Sequence, residues 1–536
     1  MVDTLVPPDQ NIDPSLALLS KRARVWLLVV ACLGVSLVVS SMVALNAALP
    51  DLARETSATQ SQLTWIVDGY TLALACLLLP AGAIGDRYGR RGALLIGLAI
   101  FTLASLVPVF LDGPVQLIIA RAVAGAGAAF VMPATLSLLT AAYPRTERTK
   151  AVGIWAGVAG SGAVVGFLAT GVLLHFWSWQ SIFWALFGAG AVLFVLACTV
   201  SSSRDDDAAP LDWLGAALIG SAMATFVFGV IEAPARGWSD VLVWASIATG
   251  LVLAAAFTVV QLRQRYPLLD VRLFSRPDFA IGSIGVTFLF FANFGFFFVV
   301  MQYIQLVMGY SPLQTALALA PLVVPIVALS VTSRWYLPRL GLGVTVSVGL
   351  LVVAVGLVSM RTLEVGSTYL DLTWLLLIAS TGIGLCTAPT TSAIMTAVPD
   401  EKQGVASAVN DATREVGAAL GIAVAGSMLA TQYTDTLAPT LTQFPGPVRE
   451  SAVGSLAEAL AVSGRIGPEG PRLAELAQGA FLHAMDASLL VLAIVVAVAA
   501  VFVAIWSPGR DGRQLRIVRR LRVRRRARAV ARHRVS

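Results

Sequence analysis

Polar and apolar positions in this chain come in blocks. Long apolar runs alternate with short segments that hold nearly all of the charge. The runs lie at roughly 25–48, 64–85, 92–111, 115–141, 151–174, 181–200, 212–232, 241–262, 280–307, 312–333, 342–360, 372–396, 405–430 and 484–506. A helix needs about 20 mainly apolar residues to cross the hydrocarbon core of a bilayer. The pattern predicts fourteen membrane-crossing helices, an all-α membrane protein. The only sizeable polar segment between runs is 431–482. It carries Pro-Gly punctuation at Phe444-Pro-Gly-Pro447 and Gly467-Pro-Glu-Gly-Pro471. Its two short Ala/Leu-rich stretches suggest short amphipathic helices on the outer surface.

Composition agrees. The 536 residues are 57% hydrophobic and 12% charged, about half the charge of a soluble protein. This excludes a soluble enzyme, a disordered chain and a fibrous one. Only three lysines occur, and none follows a glycine, so no phosphate-binding Gly-Lys-Ser/Thr loop exists to drive an ATP pump. The three histidines are scattered and offer no metal motif. The four cysteines lie in apolar runs and read as small buried hydrophobes rather than a disulfide framework.

Charge placement orients the chain. With a cytoplasmic N-terminus, 29 of the 37 Lys and Arg fall in cytoplasmic segments. Six fall outside: Arg54, Arg236, Arg361, Arg449, Arg465 and Arg472. Both termini are then expected inside a bacterial inner membrane, with the first run a retained signal anchor. The tail 507–536 holds twelve arginines and one acid, Asp511. Anionic headgroups are its expected partner, at about 1 kcal/mol per residue near the surface. Nucleic acid is not expected, because no aromatics interleave with the arginines.

Between the second and third runs lies Gly82-Ala-Ile-Gly-Asp86-Arg87-Tyr-Gly89-Arg90-Arg91. Physically it is a tight cytoplasmic turn in which Asp86 can face a helix N-terminus and the arginines can pair with carboxylates. The same string resembles the signature loop of the major facilitator superfamily. Asn46-Ala-Ala-Leu-Pro50, Arg121-Ala-Val-Ala-Gly125-Ala-Gly127, Gly309-Tyr-Ser-Pro312 and Gly404-Val-Ala-Ser-Ala-Val-Asn410 add to the resemblance. With fourteen helices the chain resembles the drug:proton antiporter family.

The resemblance implies two six-helix bundles, at 25–200 and 280–506, and an inserted helix pair within 201–279. A cytoplasmic arm, 1–24, precedes them. The resemblance further implies a monomer that exchanges amphipathic drugs for protons, driven by the proton gradient without a cofactor. Export of one endogenous metabolite or lipid, and a transport-inactive scaffold, are the alternatives.

Charges inside apolar runs are costly and mark function or partnership. Asp68 and Arg121 are expected in one layer near the outer surface, with Asp68 exchanging the proton as Arg121 shifts. Asp411, Arg414 and Glu415 share the thirteenth run with Asn410. Asp411 and Arg414 can neutralise each other, which leaves Glu415 for a cationic substrate or a second proton; a satisfied intramembrane network is the alternative reading. Trp65, Tyr70, Trp155 and Tyr303 are candidate cavity aromatics, with Phe290, Phe291 and Phe294 beside them.

Some positions depart from the family pattern. Ser41 stands where an acid is usual, and the fifth run reads Gly166-Phe167-Leu-Ala-Thr170-Gly171 where Gly-Pro-x-x-Gly-Gly is usual. A layer of Ser41, Asp68 and Arg121 is formally neutral. Selection for cations is therefore expected to be weaker than the family norm.

Overall fold

The computed structural model describes residues 20–45, 48–56, 60–111, 113–201, 211–399 and 402–507. The Arg-rich tail and nearly all of the N-terminal arm lie outside them. Among the described residues there is no strand, and fourteen helices are long and apolar enough to cross a membrane. They are span one (Lys21–Ala44), two (Trp65–Tyr88), three (Arg90–Phe110), four (Pro114–Ala142), five (Glu147–Phe176), six (Gln180–Cys198) and seven (Trp213–Pro234). Then come eight (Val241–Arg263), nine (Pro277–Val307), ten (Leu313–Leu340), eleven (Leu342–Thr362), twelve (Tyr369–Thr396), thirteen (Gln403–Leu441) and fourteen (Gly467–Trp506).

Two compact units emerge from the packing. The first comprises the described residues within 1–224, 253–270 and 395–412, and the second those within 225–252, 271–394 and 413–507. In the first, span four lies against spans two and three, span one against span five, and span three against span six. In the second, spans nine and eleven pack on span fourteen, and Gly356 and Gly382 bring spans eleven and twelve together. Spans seven and eight are divided between the units. Asp212 and Gln261 join them within the first, and the Trp238 indole donates to Ser427 at 2.8 Å within the second.

Exposed aromatic rings mark the depth of the spans. Phe110, Phe176, Trp177 and Trp184 sit at one end of spans three, five and six. Trp26, Tyr88 and Trp213 sit at the opposite end of spans one, two and seven. Amphipathic rings of this kind settle at headgroup level. Cys386 is buried, Cys32 and Cys76 are partly so, and Cys198 is exposed at the end of span six.

Two helices run further than the hydropathy pattern indicates. Helix Gln403–Leu437 and helix Gly470–Trp506 continue well into the segment 431–482. Leu437 and Leu441 at the end of the first, Leu473 and Ala477 in the second, and Leu456 and Ala459 between them are all buried, and the short helix Leu456–Ser463 packs on Gly470–Trp506. The two short helices there, Gly446–Gly454 and Leu456–Ser463, pack on each other. The Tyr433 hydroxyl donates to the Ala452 carbonyl at 3.0 Å, and Ser455 caps the second helix.

Candidate functional site

The signature string is almost entirely helical. One helix runs to Tyr88 and the next starts at Arg90, so Gly89 alone makes the turn, at φ 114°, where a side chain would be strained. Asp86 sits one turn before the break and is buried. Its Oδ1 accepts from Arg90 Nε at 2.9 Å and from the Gly404 N–H at 2.8 Å, and its Oδ2 accepts from the Val405 N–H at 3.0 Å. The last two donors are orphan amides of the first turn of span thirteen, where the helix dipole favours a negative charge. Gly82 and Gly404 approach so closely that a Cβ on either would strike the other's carbonyl oxygen. Gln403 completes the joint by donating to the Met395 and Val398 carbonyls, both at 3.1 Å, at the end of span twelve. Arg87 lies near the Tyr88 ring, and Arg91 is half-buried.

Arg121 is the second centre. It is 1% exposed, about two turns into the apolar helix Pro114–Ala142. Its Nη1 donates to Ser41 Oγ at 2.9 Å, its Nη2 to the Ser41 carbonyl at 3.0 Å, and its Nε to the Ile66 carbonyl at 3.2 Å. Its guanidinium carbon stands 4.3 Å from the centre of the Tyr70 ring. Tyr70 is itself pinned by its hydroxyl, which donates to the Val38 carbonyl at 3.1 Å. Spans one, two and four thus meet on one cation whose described partners are all neutral. Asp68 lies half-buried on span two, two residues from both Ile66 and Tyr70, and is not among those partners.

Span thirteen carries the third. Asn410, Asp411, Arg414 and Glu415 are all at most 3% exposed. The Asn410 amide donates to Asp411 Oδ1 at 3.0 Å. Arg414 Nη2 reaches the Thr391 hydroxyl at 3.4 Å, and its guanidinium carbon stands 4.9 Å from the centre of the Phe290 ring.

The candidate cavity aromatics separate. Tyr70, Trp155 and Tyr303 are fully buried, and each directs its polar atom into the protein: to Val38, to the Thr135 hydroxyl at 3.3 Å and to the Glu364 carbonyl at 2.8 Å. They are packing residues here and line no opening. Trp65 is half-buried. The ring contacts of Arg121 with Tyr70 and of Arg414 with Phe290 do not follow from charge and hydropathy alone. The available signal was the i, i+4 spacing of Phe290 and Phe294 on span nine.

Outside the spans, Asp212 precedes span seven and caps it through the Gly215 N–H at 2.8 Å. It also accepts from Gln261 at 2.5 Å and Gln264 at 3.1 Å. Burial pushes its carboxyl up, but these hydrogen bonds outweigh that and hold it below the usual carboxylate value.

The profile of the Major Facilitator Superfamily matches residues 29–422. The chain belongs to that superfamily and is a multi-pass membrane transporter. It is 34% identical over 438 residues to the multidrug resistance protein Stp of Mycobacterium tuberculosis, covering 81% of each chain. It is 30% identical over 493 residues to the tetracenomycin C resistance and export protein of Streptomyces glaucescens, covering 89% of this chain and 91% of that one. Its fold resembles the human organic anion transporter MFSD10, with a TM-score of 0.59 at 14% identity over 90% of this chain and 99% of that one.

Proposed function

We propose that this transporter expels amphipathic small molecules, antibiotics among them, from a bacterial cell in exchange for protons. Efflux agrees with what the relatives are named for. The observation that carries proton exchange is the buried Arg121, shared by spans one, two and four, with Asp68 one half-turn away from its contacts on span two. A charge buried between membrane helices is costly and marks function or partnership. Because the guanidinium rests on hydroxyl, carbonyl and ring, a small helix shift alters the field at Asp68 without breaking a strong ion pair. Proton uptake by Asp68 is then tied to that shift. In this reading no cofactor takes part, the inner membrane is the site and both termini are cytoplasmic. The basic tail rests on anionic lipid, and the transporter works as a monomer.

The test is transport by the purified protein in liposomes under an imposed pH gradient, with a panel of dyes and antibiotics. Gradient-dependent movement that collapses with a protonophore, and is lost in Asp68→Asn while dye binding persists, is the expected result. Full gradient-driven transport by Asp68→Asn removes that residue from the coupling. No gradient-driven movement of any compound refutes proton exchange altogether.

A further inference from the structure

Span one is covered along its second half and open along its first. From Gly34 to Ala44 no residue is exposed. Before that, Lys21, Val25, Val29 and Leu33 are exposed at every fourth position, with Arg22 and Trp26 beside them. Residues so spaced share one face of a helix. Leu27, Val30, Ala31 and Val35, all buried, occupy the opposite face. At 1.5 Å per residue the open row from Lys21 to Leu33 is about 18 Å long. That is close to the depth of a single leaflet with its headgroups, roughly 20 Å.

Span six shows which way this row looks. The Trp26 indole donates to the Thr199 hydroxyl, just past the end of span six, at 2.7 Å. Thr199 shares a face with Val195 and Val192, one and two turns earlier, which are 64% and 61% exposed. An aliphatic row this open on a membrane helix looks into lipid, which is as apolar as its side chains. The two rows border one slot on the bilayer side of the first unit, with the indole at headgroup level. The charge at the head of the slot is one-sided. Arg24 has Glu147 at 3.6 Å, but among the described residues no acid pairs with Lys21 or Arg22. Those two cations, Val25, Trp26 and Val29 line an open recess.

We infer that this slot binds one anionic phospholipid of the adjoining leaflet, its phosphate on Lys21 and Arg22 and an acyl chain along Val25, Val29 and Leu33. The two cations attract the anionic headgroup and give a zwitterionic one no comparable gain. The apolar row accounts for the choice of lipid over a soluble anion, which would meet the cations and nothing else. Trp26 is held by Thr199 and so forms a fixed shelf at the boundary between headgroup and chain. This site differs from the attraction of lipid to the arginine tail, because here the charges head a row built to the length of a chain. It does not depend on what the transporter carries or on proton exchange.

Quenching of tryptophan fluorescence by brominated lipid tests the site. The full-length protein is reconstituted in phosphatidylcholine vesicles that contain increasing fractions of acyl-brominated phosphatidylglycerol or, in parallel, of acyl-brominated phosphatidylcholine. Trp26 is one of twelve tryptophans, so its share is the difference between the wild type and Trp26→Phe. That share should be half-quenched at about tenfold lower phosphatidylglycerol than phosphatidylcholine. Lys21→Gln with Arg22→Gln should abolish the preference, and Lys21→Arg with Arg22→Lys, which keeps both charges, should retain it. Glycerol 3-phosphate at constant ionic strength should leave the quenching unchanged. Equal quenching by the two lipids in the wild type, or a preference that survives the double glutamine variant, overturns the site. Relief by glycerol 3-phosphate overturns the lipid assignment in favour of a soluble anion. A preference that emerges only after removal of residues 1–19 gives the slot to the N-terminal arm and overturns it as well.

Discussion

The Ser41 hydroxyl accepts a hydrogen bond from the buried Arg121 guanidinium at 2.9 Å, where the family pattern places an acid. A neutral partner leaves the cation uncompensated among its described contacts. Substituting Ser41→Asp should put a carboxylate against Arg121 and make the layer more negative. The ratio of ethidium to neutral-dye transport is expected to rise about tenfold, which corresponds to 1.4 kcal/mol. Competition assays in proteoliposomes check this, and an unchanged ratio would remove position 41 from substrate selection.

Arg121→Lys tests the fork geometry. A guanidinium reaches two hydrogen-bond acceptors on span one and one on span two at once, and an ammonium cannot reproduce that fork. Gradient-driven transport should fall by tenfold or more while the protein still unfolds cooperatively. Transport at the wild-type rate would show that charge alone suffices there.

Asp86 joins span thirteen to the turn between spans two and three. Asp86→Asn removes the acceptor charge for Arg90 and for the two amides of Gly404 and Val405. Leaving Arg90 buried without its carboxylate should destabilise the protein by about 3 kcal/mol. Adding Arg90→Gln should recover part of the loss. Thermal unfolding of the single and double variants in detergent provides the comparison.

Asp212 gives a pH prediction. Folding lowers its pKa, so its contribution is present at every pH above the ordinary carboxylate value of about 3.9 and is lost only as acid titrates the folded group below it. Hydrogen exchange at Gly215, and at Leu269, whose N–H donates to the Gln261 side chain at 3.2 Å, should be flat from about pH 5 to 8 after correction for intrinsic rates. Asp212→Ala should cost about 1 kcal/mol and open both amides together. A midpoint near neutrality would contradict the hydrogen-bond pattern.

Much of this architecture is legible in the sequence because a bilayer imposes a length on each apolar run. The fourteen runs map onto fourteen spans for that reason. The same criterion could not see the extensions of spans thirteen and fourteen, since helix beyond the membrane needs only an amphipathic stripe and good propensity. Gly82 to Arg91 reads as a turn, yet Asp86, Arg87 and Tyr88 stay helical because only Gly89 must break. The buried charges were recognisable individually from their cost. Their partners were not, because which face of a helix meets which neighbour depends on contacts such as Gly417 on Thr287. Tyr70, Trp155 and Tyr303 show the same gap, as an aromatic in a span reads alike whether it packs or lines a passage.

The long fourteenth helix has a practical consequence. Its 37 residues at about 1.5 Å rise extend roughly 55 Å, against about 30 Å of hydrocarbon, so some 25 Å stands clear of the lipid. Together with the Gly446–Gly454 and Leu456–Ser463 helices it forms a folded element beyond the span. An antibody fragment raised against those helices would give electron cryomicroscopy a rigid fiducial.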